Sequence, residues 1–175
     1  MATEPARGAG GLRGTPIRSP GGVLVFDAGG GSYAVAATDV VEIARSVTVV
    51  PLPKAPAIVE GIINFRGTVV PVLDLRSRFR LPAKPPEHTD HLVIARAGER
   101  LVALRVDRAR ELARLDPGLV ADVREVVLGT DYVAGVGLLP DGLVLIHDLA
   151  TFLSQAEGRA LDEALSEPGV TSGGS

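Results

Sequence analysis

Residues 58–79 read IVEGIINFRGTVVPVLDLRSRF, and the other segments of the chain can be interpreted from this one. An apolar run follows Gly61, the dipeptide Arg66-Gly67 interrupts it, and a second run rich in β-branched residues occupies 68–73. Two such runs around a glycine-containing turn predict a β-hairpin. Because Pro71 has no N–H to donate, we expect the second strand either to lie at a sheet edge there or to break its pairing at that point.

The end of the same stretch predicts a short helix. Asp74 can serve as its N-cap, and residues 75–79 are expected to form it. Its arginines and the one that follows are expected to face water: Arg76, Arg78 and Arg80. Prolines are frequent in residues 81–86, so we interpret that segment as a semi-rigid link and a candidate boundary between two lobes.

Toward the N-terminus, two β-prone runs at 23–26 and 33–37 flank the turn-forming cluster DAGGGS and predict a second hairpin. The cluster is not interpreted as a phosphate-binding loop, because no GK[ST] follows it and the next segment is a strand rather than a helix.

A short helix is predicted after this hairpin. Thr38 or Asp39 offers an N-cap, and Glu42 stands three residues after Asp39 as a capping box requires, so we expect a helix through Val40, Val41, Ile43 and Ala44. Glu42 has two interpretations at this stage. It can cap the helix, or it can form a salt bridge to another segment.

The remaining segments continue a pattern of short strands. Residues 47–50 are β-prone, 51–56 form a stiff proline-rich connector, and 57–60 are expected to make one helical turn. In the second half we expect strands at 91–95, 101–106, 131–137 and 142–146, with a turn at Gly98. Arg105 is expected at a wetter edge, and Asp148 is expected to cap a terminal helix bearing Leu149, Phe152 and Leu153. The pattern predicts an all-β domain with a few short helices.

Composition limits the function classes. The chain has 175 residues, 46% hydrophobic and 22% charged, with a formal net charge of −3, which gives no general reason to bind nucleic acid or an anionic membrane. Cysteine is absent, so disulfides, thiolate metal sites and a cysteine nucleophile are excluded. No apolar run approaches the roughly 20 residues of a membrane-spanning helix. We expect a cytoplasmic protein without direct membrane insertion.

The two ends of the chain are expected to differ from the middle. Residues 1–21 are rich in Gly, Pro and Arg and are predicted to be a disordered tail. Residues 156–175 are predicted to form a helical extension past Gly158, carrying Leu161, Ala164 and Leu165, followed by a disordered tail.

Candidate catalytic and metal-binding groups are few. His88 and His91, with Asp90 between them, lie in a link that enters a strand and have no further ligand near in sequence, and His147 beside Asp148 lacks a partner of recognisable spacing. We therefore expect no catalytic residue, no metal site and no cofactor.

The quoted stretch carries a family resemblance. EGIINFRGTVVPVLDLRSRF resembles the signature of CheW-type coupling domains of bacterial chemotaxis, and VLVFDAGGGSYAVAATDVVEI, LVALRVDRARE and YVAGVG resemble other parts of that family's pattern. The resemblance covers about residues 22–155. Arg108 departs from the resemblance, because the family usually has an Asp followed by a Gly where this chain has Asp107 and Arg108.

The resemblance implies a fold and a function. The fold would be two packed five-stranded SH3- or OB-like β-barrels, and the protein would be a non-enzymatic adaptor recruited to chemoreceptor arrays at the inner membrane. Its partners would be the regulatory domain of a CheA-type histidine kinase and the cytoplasmic tip of a methyl-accepting chemoreceptor. The predicted protein-binding residues are Val40, Glu42, Ile43, Arg66 and Gly67, with Glu42 paired to Arg66 and the groove between the barrels as the receptor surface. Which residues meet which partner stays open.

Two other classes of function remain at this stage. A small barrel can bind oligonucleotides, as OB-folds do, if it has a basic groove with exposed aromatic rings. An undetected hydrolase or ligand-binding barrel is the other alternative.

Overall fold

The computed structural model describes residues 22–114, 133–140 and 142–167. These residues form ten strands and two α-helices. In chain order they are β1 (Val23–Ala28), β2 (Gly31–Ala36), β3 (Val40–Arg45), β4 (Val59–Phe65), β5 (Thr68–Asp74), α1 (Leu75–Arg78), β6 (His91–Ala97), β7 (Arg100–Val106), β8 (Arg108–Ala113), β9 (Val133–Leu139), β10 (Gly142–His147) and α2 (Gln155–Leu165). Two 3₁₀ turns occupy Ala37–Asp39 and Leu149–Thr151.

The strands form two five-stranded sheets. The first sheet has the order β8-β1-β2-β10-β9 and takes strands from both ends of the chain, whereas the second sheet, β3-β6-β7-β5-β4, comes from the middle. The all-β prediction and the two packed five-stranded units are confirmed, but the described strands form open sheets rather than closed barrels. The proline-rich link joins α1 to β6. The strands before and after it, β5 and β6, both belong to the second sheet, so the link does not separate the two sheets along the chain.

Apolar packing explains why the strand sequences are almost continuously hydrophobic. One cluster lies on the faces where the sheets meet and includes Leu24 and Phe26 of β1 with Val93 and Leu104 of the second sheet. Each sheet has a separate cluster on its other face. Strands buried on both faces carry apolar residues at successive positions, as in β1.

The hairpin of the quoted stretch is confirmed as β4 and β5, with Phe65 opposite Thr68 across the turn. The N–H and C=O of Ile62 both bond to Val50, at 2.8 and 2.9 Å, so Ile62 makes no hydrogen bond to Pro71, which lies opposite it in β5. The parallel pairing of β5 with β7 begins one residue later, at Val72. The pairing with β4 continues through Pro71, so β5 is paired on one side only at that residue and is locally an edge, the first of the two expected arrangements.

The helix predicted over residues 40–44 is wrong. That segment is β3, which pairs antiparallel with β6, and only Ala37–Asp39 before it form a 3₁₀ turn, without a side-chain cap. Three β-branched residues in the segment favour an extended backbone, and pairing with β6 supplies hydrogen bonds that outweigh the local capping pattern.

Two smaller predictions near β4 need correction. The helical turn expected at 57–60 is absent, because the chain turns at 57–58 and enters β4 at Val59. The β-prone piece at 47–50 forms only an isolated bridge from Val50 to Ile62.

The predicted N-caps after β5 and β10 are present. Asp74 accepts a hydrogen bond from the Arg76 N–H at 3.0 Å at the start of α1. Asp148 accepts one from the Ala150 N–H at 3.0 Å, but it begins a 3₁₀ turn rather than a longer helix.

The predicted C-terminal helix is present as α2, where Ser154 and Glu157 form a capping box and Leu161 and Ala164 are buried. The expected tails at 1–21 and 168–175 lie outside the described residues, as does the start of the strand expected from residue 131. Within the described part of the chain, no helix is long and apolar enough to cross a membrane.

A candidate docking surface around Arg66

The turn between β4 and β5 has an unusual backbone. Arg66 has φ 53° and Gly67 has φ 86°, so both turn residues adopt positive φ, as type I′ hairpin turns require. A Cβ on Gly67 would meet no atom within 4 Å, so glycine is needed there for its conformation and not for space. Arginine is disfavoured at positive φ by about 1 kcal/mol, and other contacts must hold Arg66 in place.

Arg66 forms an ion pair with Glu42 of β3. β3 and β4 are the opposite edges of the second sheet, so the pair joins side chains from its two edge strands and their turn. The Arg66 guanidinium also lies 4.8 Å from the centroid of the Phe65 ring. Because the Arg66 and Glu42 side chains are 70% and 36% exposed, the ion pair contributes only about 0–1 kcal/mol to folding stability.

The five predicted residues do not lie on one face. Glu42 is paired with Ile94, which belongs to the cluster on the outer face of the second sheet. Val40 and Ile43 are paired with Ala95 and Val93, which pack in the cluster between the sheets. A bulge between Val40 and Glu42 breaks the strict alternation. The structure therefore brings together Glu42, Arg66 and Gly67 on one side of β3 and places Val40 and Ile43 on the other.

Exposed apolar side chains lie along β3 and the segment that follows it. Ile43 is 44% exposed, and Val40 is half-buried against the cluster between the sheets. Three further exposed residues were not predicted from the sequence. They lie on β3 and on the strap formed by residues 46–50, and all are more than 40% exposed: Val41, Val47 and Val50. No signal in the sequence marks these residues as exposed, because their exposure depends on β3 lying at the edge of its sheet.

Acidic groups lie at the junction where β3 begins. Burial raises the pKa of Asp39, and the nearby negative charge of Asp148 raises it further. Asp39 ends the 3₁₀ turn before β3 and Asp148 follows β10, so the start of β3 lies near the end of a strand in the first sheet.

A polar network surrounds a cavity of about 150 Å³ that is lined by Arg76, Lys84 and Asp107 among other residues. Arg76 donates from Nη2 to both carboxylate oxygens of Asp107 at 2.8 and 2.9 Å, and Asp107 also accepts from the Gly29 N–H at 2.9 Å. Burial alone would raise the pKa of Asp107, but these hydrogen bonds and the charges of Arg76 and Lys84 outweigh it and hold the pKa below its usual value. Asp107 thus ties the β1–β2 turn to α1.

Three arginines expected near solvent are instead paired. The Arg76 side chain is only 16% exposed, Arg78 bonds to Glu157 at 2.6 Å, and Arg105 is 11% exposed and bonds to Glu60 at 2.9 and 3.0 Å. Their charges hold secondary-structure elements together rather than forming a docking surface.

Two of the three histidines considered as ligands or bases, His91 and His147, have structural contacts. His91 accepts a hydrogen bond at Nδ1 from the Ala109 N–H at 2.8 Å, and Asp90 accepts one from the Glu87 N–H at 2.8 Å. His147 is buried and stacks on Phe79, with ring centroids 4.5 Å apart. In the part of the chain described, no group of three or more His, Asp or Glu side chains is arranged to hold a metal ion.

Comparison with known proteins agrees with this architecture. The chain is 27% identical to the chemotaxis protein CheW of Klebsiella aerogenes over 141 residues, which cover 79% of this chain and 85% of that protein. It is 27% identical to the chemotaxis protein CheW of Treponema pallidum over 141 residues, 77% of this chain and 83% of that protein.

A solved structure has the same fold. The scaffolding protein TtCheW from Thermoanaerobacter tengcongensis superposes with a TM-score of 0.73 at 26% identity, covering 79% of this chain and 96% of that one. The family model described as the CheW-like domain matches residues 22–157, most of the chain. The chain therefore belongs to the CheW-like family.

Proposed function

We propose that this protein is a non-enzymatic adaptor that couples the regulatory domain of a CheA-type histidine kinase to the cytoplasmic tip of a methyl-accepting chemoreceptor. The family supports a chemotaxis scaffold. The observation that carries a docking role is the exposed Glu42–Arg66 pair, because it contributes little to stability and the edge strand that bears Glu42 also carries exposed apolar side chains.

The pair suits protein recognition in two ways. The Arg66 guanidinium uses Nη2 toward Glu42, and its 70% exposure leaves further N–H donors facing solvent, where they can bind a partner's carboxylate or carbonyl oxygens. Glu42 and the Phe65 ring restrain the guanidinium in one orientation, which lowers the entropy lost when a partner binds.

The apolar residues give the surface its second component. Val41 and Ile43 are 42% and 44% exposed on the edge strand, and Val47 and Val50 extend the exposed strip toward β4. A transient signalling contact of about 1,200 Å² or less depends on a few such anchors rather than on total area. We place the receptor surface on the Val40 and Ile43 side of β3, where the two sheets meet, and the adaptor itself in the cytoplasm at receptor arrays.

The oligonucleotide-binding alternative is less well supported. Single-strand binding needs exposed rings for stacking, whereas Tyr33 stacks on Phe79, and Phe152 contacts Phe79 and His147 edge to face. Phe26 is buried in the cluster between the sheets. These rings serve the core of the described structure.

Replacing Arg66 by alanine is expected to weaken binding to the kinase regulatory domain or to the receptor tip by about tenfold, the loss of roughly 1.4 kcal/mol that a moderately important interface arginine provides. Titration calorimetry with both purified partners from the same genome measures the affinities. Circular dichroism should remain native, because the lost ion pair is exposed.

The matched control is Arg108→Ala, which removes an exposed arginine from β8 in the other sheet and should leave both affinities unchanged. Unchanged affinity of Arg66→Ala for both partners would remove Arg66 from the site. Failure of the wild-type protein to bind either partner would contradict the adaptor function itself.

A further inference from the structure

The side chain of Asn64 contacts the turn that carries Arg66. Asn64 lies near the end of β4, is exposed, and is paired with Val69 in the hairpin register. Its Oδ1 accepts a hydrogen bond from the Gly67 N–H at 2.8 Å. Gly67 belongs to the turn and stands outside the β4–β5 register, so this hydrogen bond satisfies a donor that the ladder does not use.

This hydrogen bond acts at the point where the turn is least favourable. Arg66 has φ 53°, a left-handed backbone that an arginine rarely adopts, and Gly67 has φ 86°. By holding the Gly67 N–H, Asn64 fixes the peptide that follows Arg66 and opposes relaxation of the turn. The Asn64 side chain thus stabilises the turn by a local side-chain-to-backbone hydrogen bond and restrains the backbone of Arg66.

The geometry points to Asn64 as a positioning residue that holds the Arg66 guanidinium in its docking orientation, an inference that rests on the proposed function of the Arg66 surface. Three restraints then act on Arg66: Asn64 through the backbone, Phe65 through its ring and Glu42 through the ion pair. The side-chain contacts with Glu42 and Phe65 can form only if the backbone of Arg66 directs its side chain toward them, and the hydrogen bond from Asn64 stabilises that backbone conformation.

The first test needs no partner. In NMR experiments on the full chain, Asn64→Ala is expected to accelerate exchange of the Gly67 amide several-fold and to increase the mobility of the Arg66 Nε–H group in the heteronuclear NOE. Asn64→Asp keeps an acceptor at the same distance and should restore both signals. Wild-type exchange and mobility in Asn64→Ala would overturn the positioning role.

The second test separates positioning from direct contact through a double-mutant cycle. Asn64→Ala alone is expected to weaken binding to whichever partner depends on Arg66 by about three- to tenfold, the effect of one side-chain hydrogen bond. In the Arg66→Ala background the same substitution should change affinity by less than about twofold, because the group it positions is gone.

An equal loss in both backgrounds would overturn the inference, since Asn64 would then act independently of Arg66. If Arg66→Ala alone leaves both affinities unchanged, the proposed docking function of this surface fails, and the NMR comparison still decides whether Asn64 positions Arg66. Rescue of affinity by Asn64→Asp is the result that a merely destabilising substitution would not produce.

Discussion

Gly61→Ala is expected to lower the free energy of unfolding by at least about 3 kcal/mol, combining overpacking with the loss of backbone hydrogen bonds. A Cβ at this position would lie 2.3 Å from the carbonyl oxygen of Val50 and 2.7 Å from Cγ1 of Val49. The nearest of these atoms is backbone, so the strap formed by residues 46–50 must move away from β4. That movement breaks the two hydrogen bonds between Val50 and Ile62.

Urea denaturation measures this change, and Gly158→Ala is the control. Gly158 lies in the interior of α2, and a Cβ there would meet no atom within 4 Å. Alanine should therefore stabilise the protein by about 0.5–1 kcal/mol through helix propensity. The two glycine-to-alanine substitutions thus have opposite expected signs. Wild-type stability of Gly61→Ala would contradict the close contact between the Val50 carbonyl and the backbone of Gly61.

The requirement for Gly61 was not predictable from the sequence. Local patterns correctly predicted the hairpin on both sides of Arg66-Gly67 and the Asp74 cap, because each depends on neighbouring residues. Gly61 is constrained by Val50, eleven positions earlier, after a proline-rich connector whose path the sequence does not determine. The sequence showed a glycine at the start of a strand and gave no reason for it.

The wrong helix prediction at 40–44 is the opposite case, because a local helix signal was present but long-range strand pairing determined the structure. Asp39 and Glu42 have the spacing of a capping box, yet the segment pairs with β6, which lies about fifty residues later in the chain. Helix propensity and capping are weak compared with pairing that also buries Val40 against the core.

The candidate site could be predicted only in part. The Glu42–Arg66 pair followed from the family resemblance, since nothing in the spacing of 24 residues requires the two to meet. The exposed strip of Val41, Val47 and Val50 depends on β3 being an edge strand, which is a property of sheet order and not of sequence. Asn64 stands three residues before Gly67 in the sequence. This spacing indicates a hydrogen bond to the turn only when the positive φ values of Arg66 and Gly67 are known.

Asp107→Asn is expected to destabilise the fold by about 2 kcal/mol near neutral pH, because a charge-assisted hydrogen-bond set is worth more than a neutral one. The substitution leaves Arg76, 16% exposed, without its carboxylate and weakens the acceptor of the Gly29 N–H. Glu111→Gln is the matched control. Glu111 is 59% exposed and lies 3.4 Å from Arg110, so its loss should change stability by less than about 0.5 kcal/mol.

The pH dependence identifies the charge as the cause. The folded-state pKa of Asp107 lies below its ordinary value of 3.8, so the carboxylate stabilises the folded state at pH values above the unfolded pKa. That contribution is lost as the pH falls below about 4 and through the folded-state pKa. The stability difference between wild type and Asp107→Asn, measured by urea denaturation from pH 7 to pH 3, should therefore be constant above about pH 5 and shrink in the acid range. A difference that stays the same down to pH 3 would mean that the shape of the side chain, and not its charge, holds the β1–β2 turn to α1.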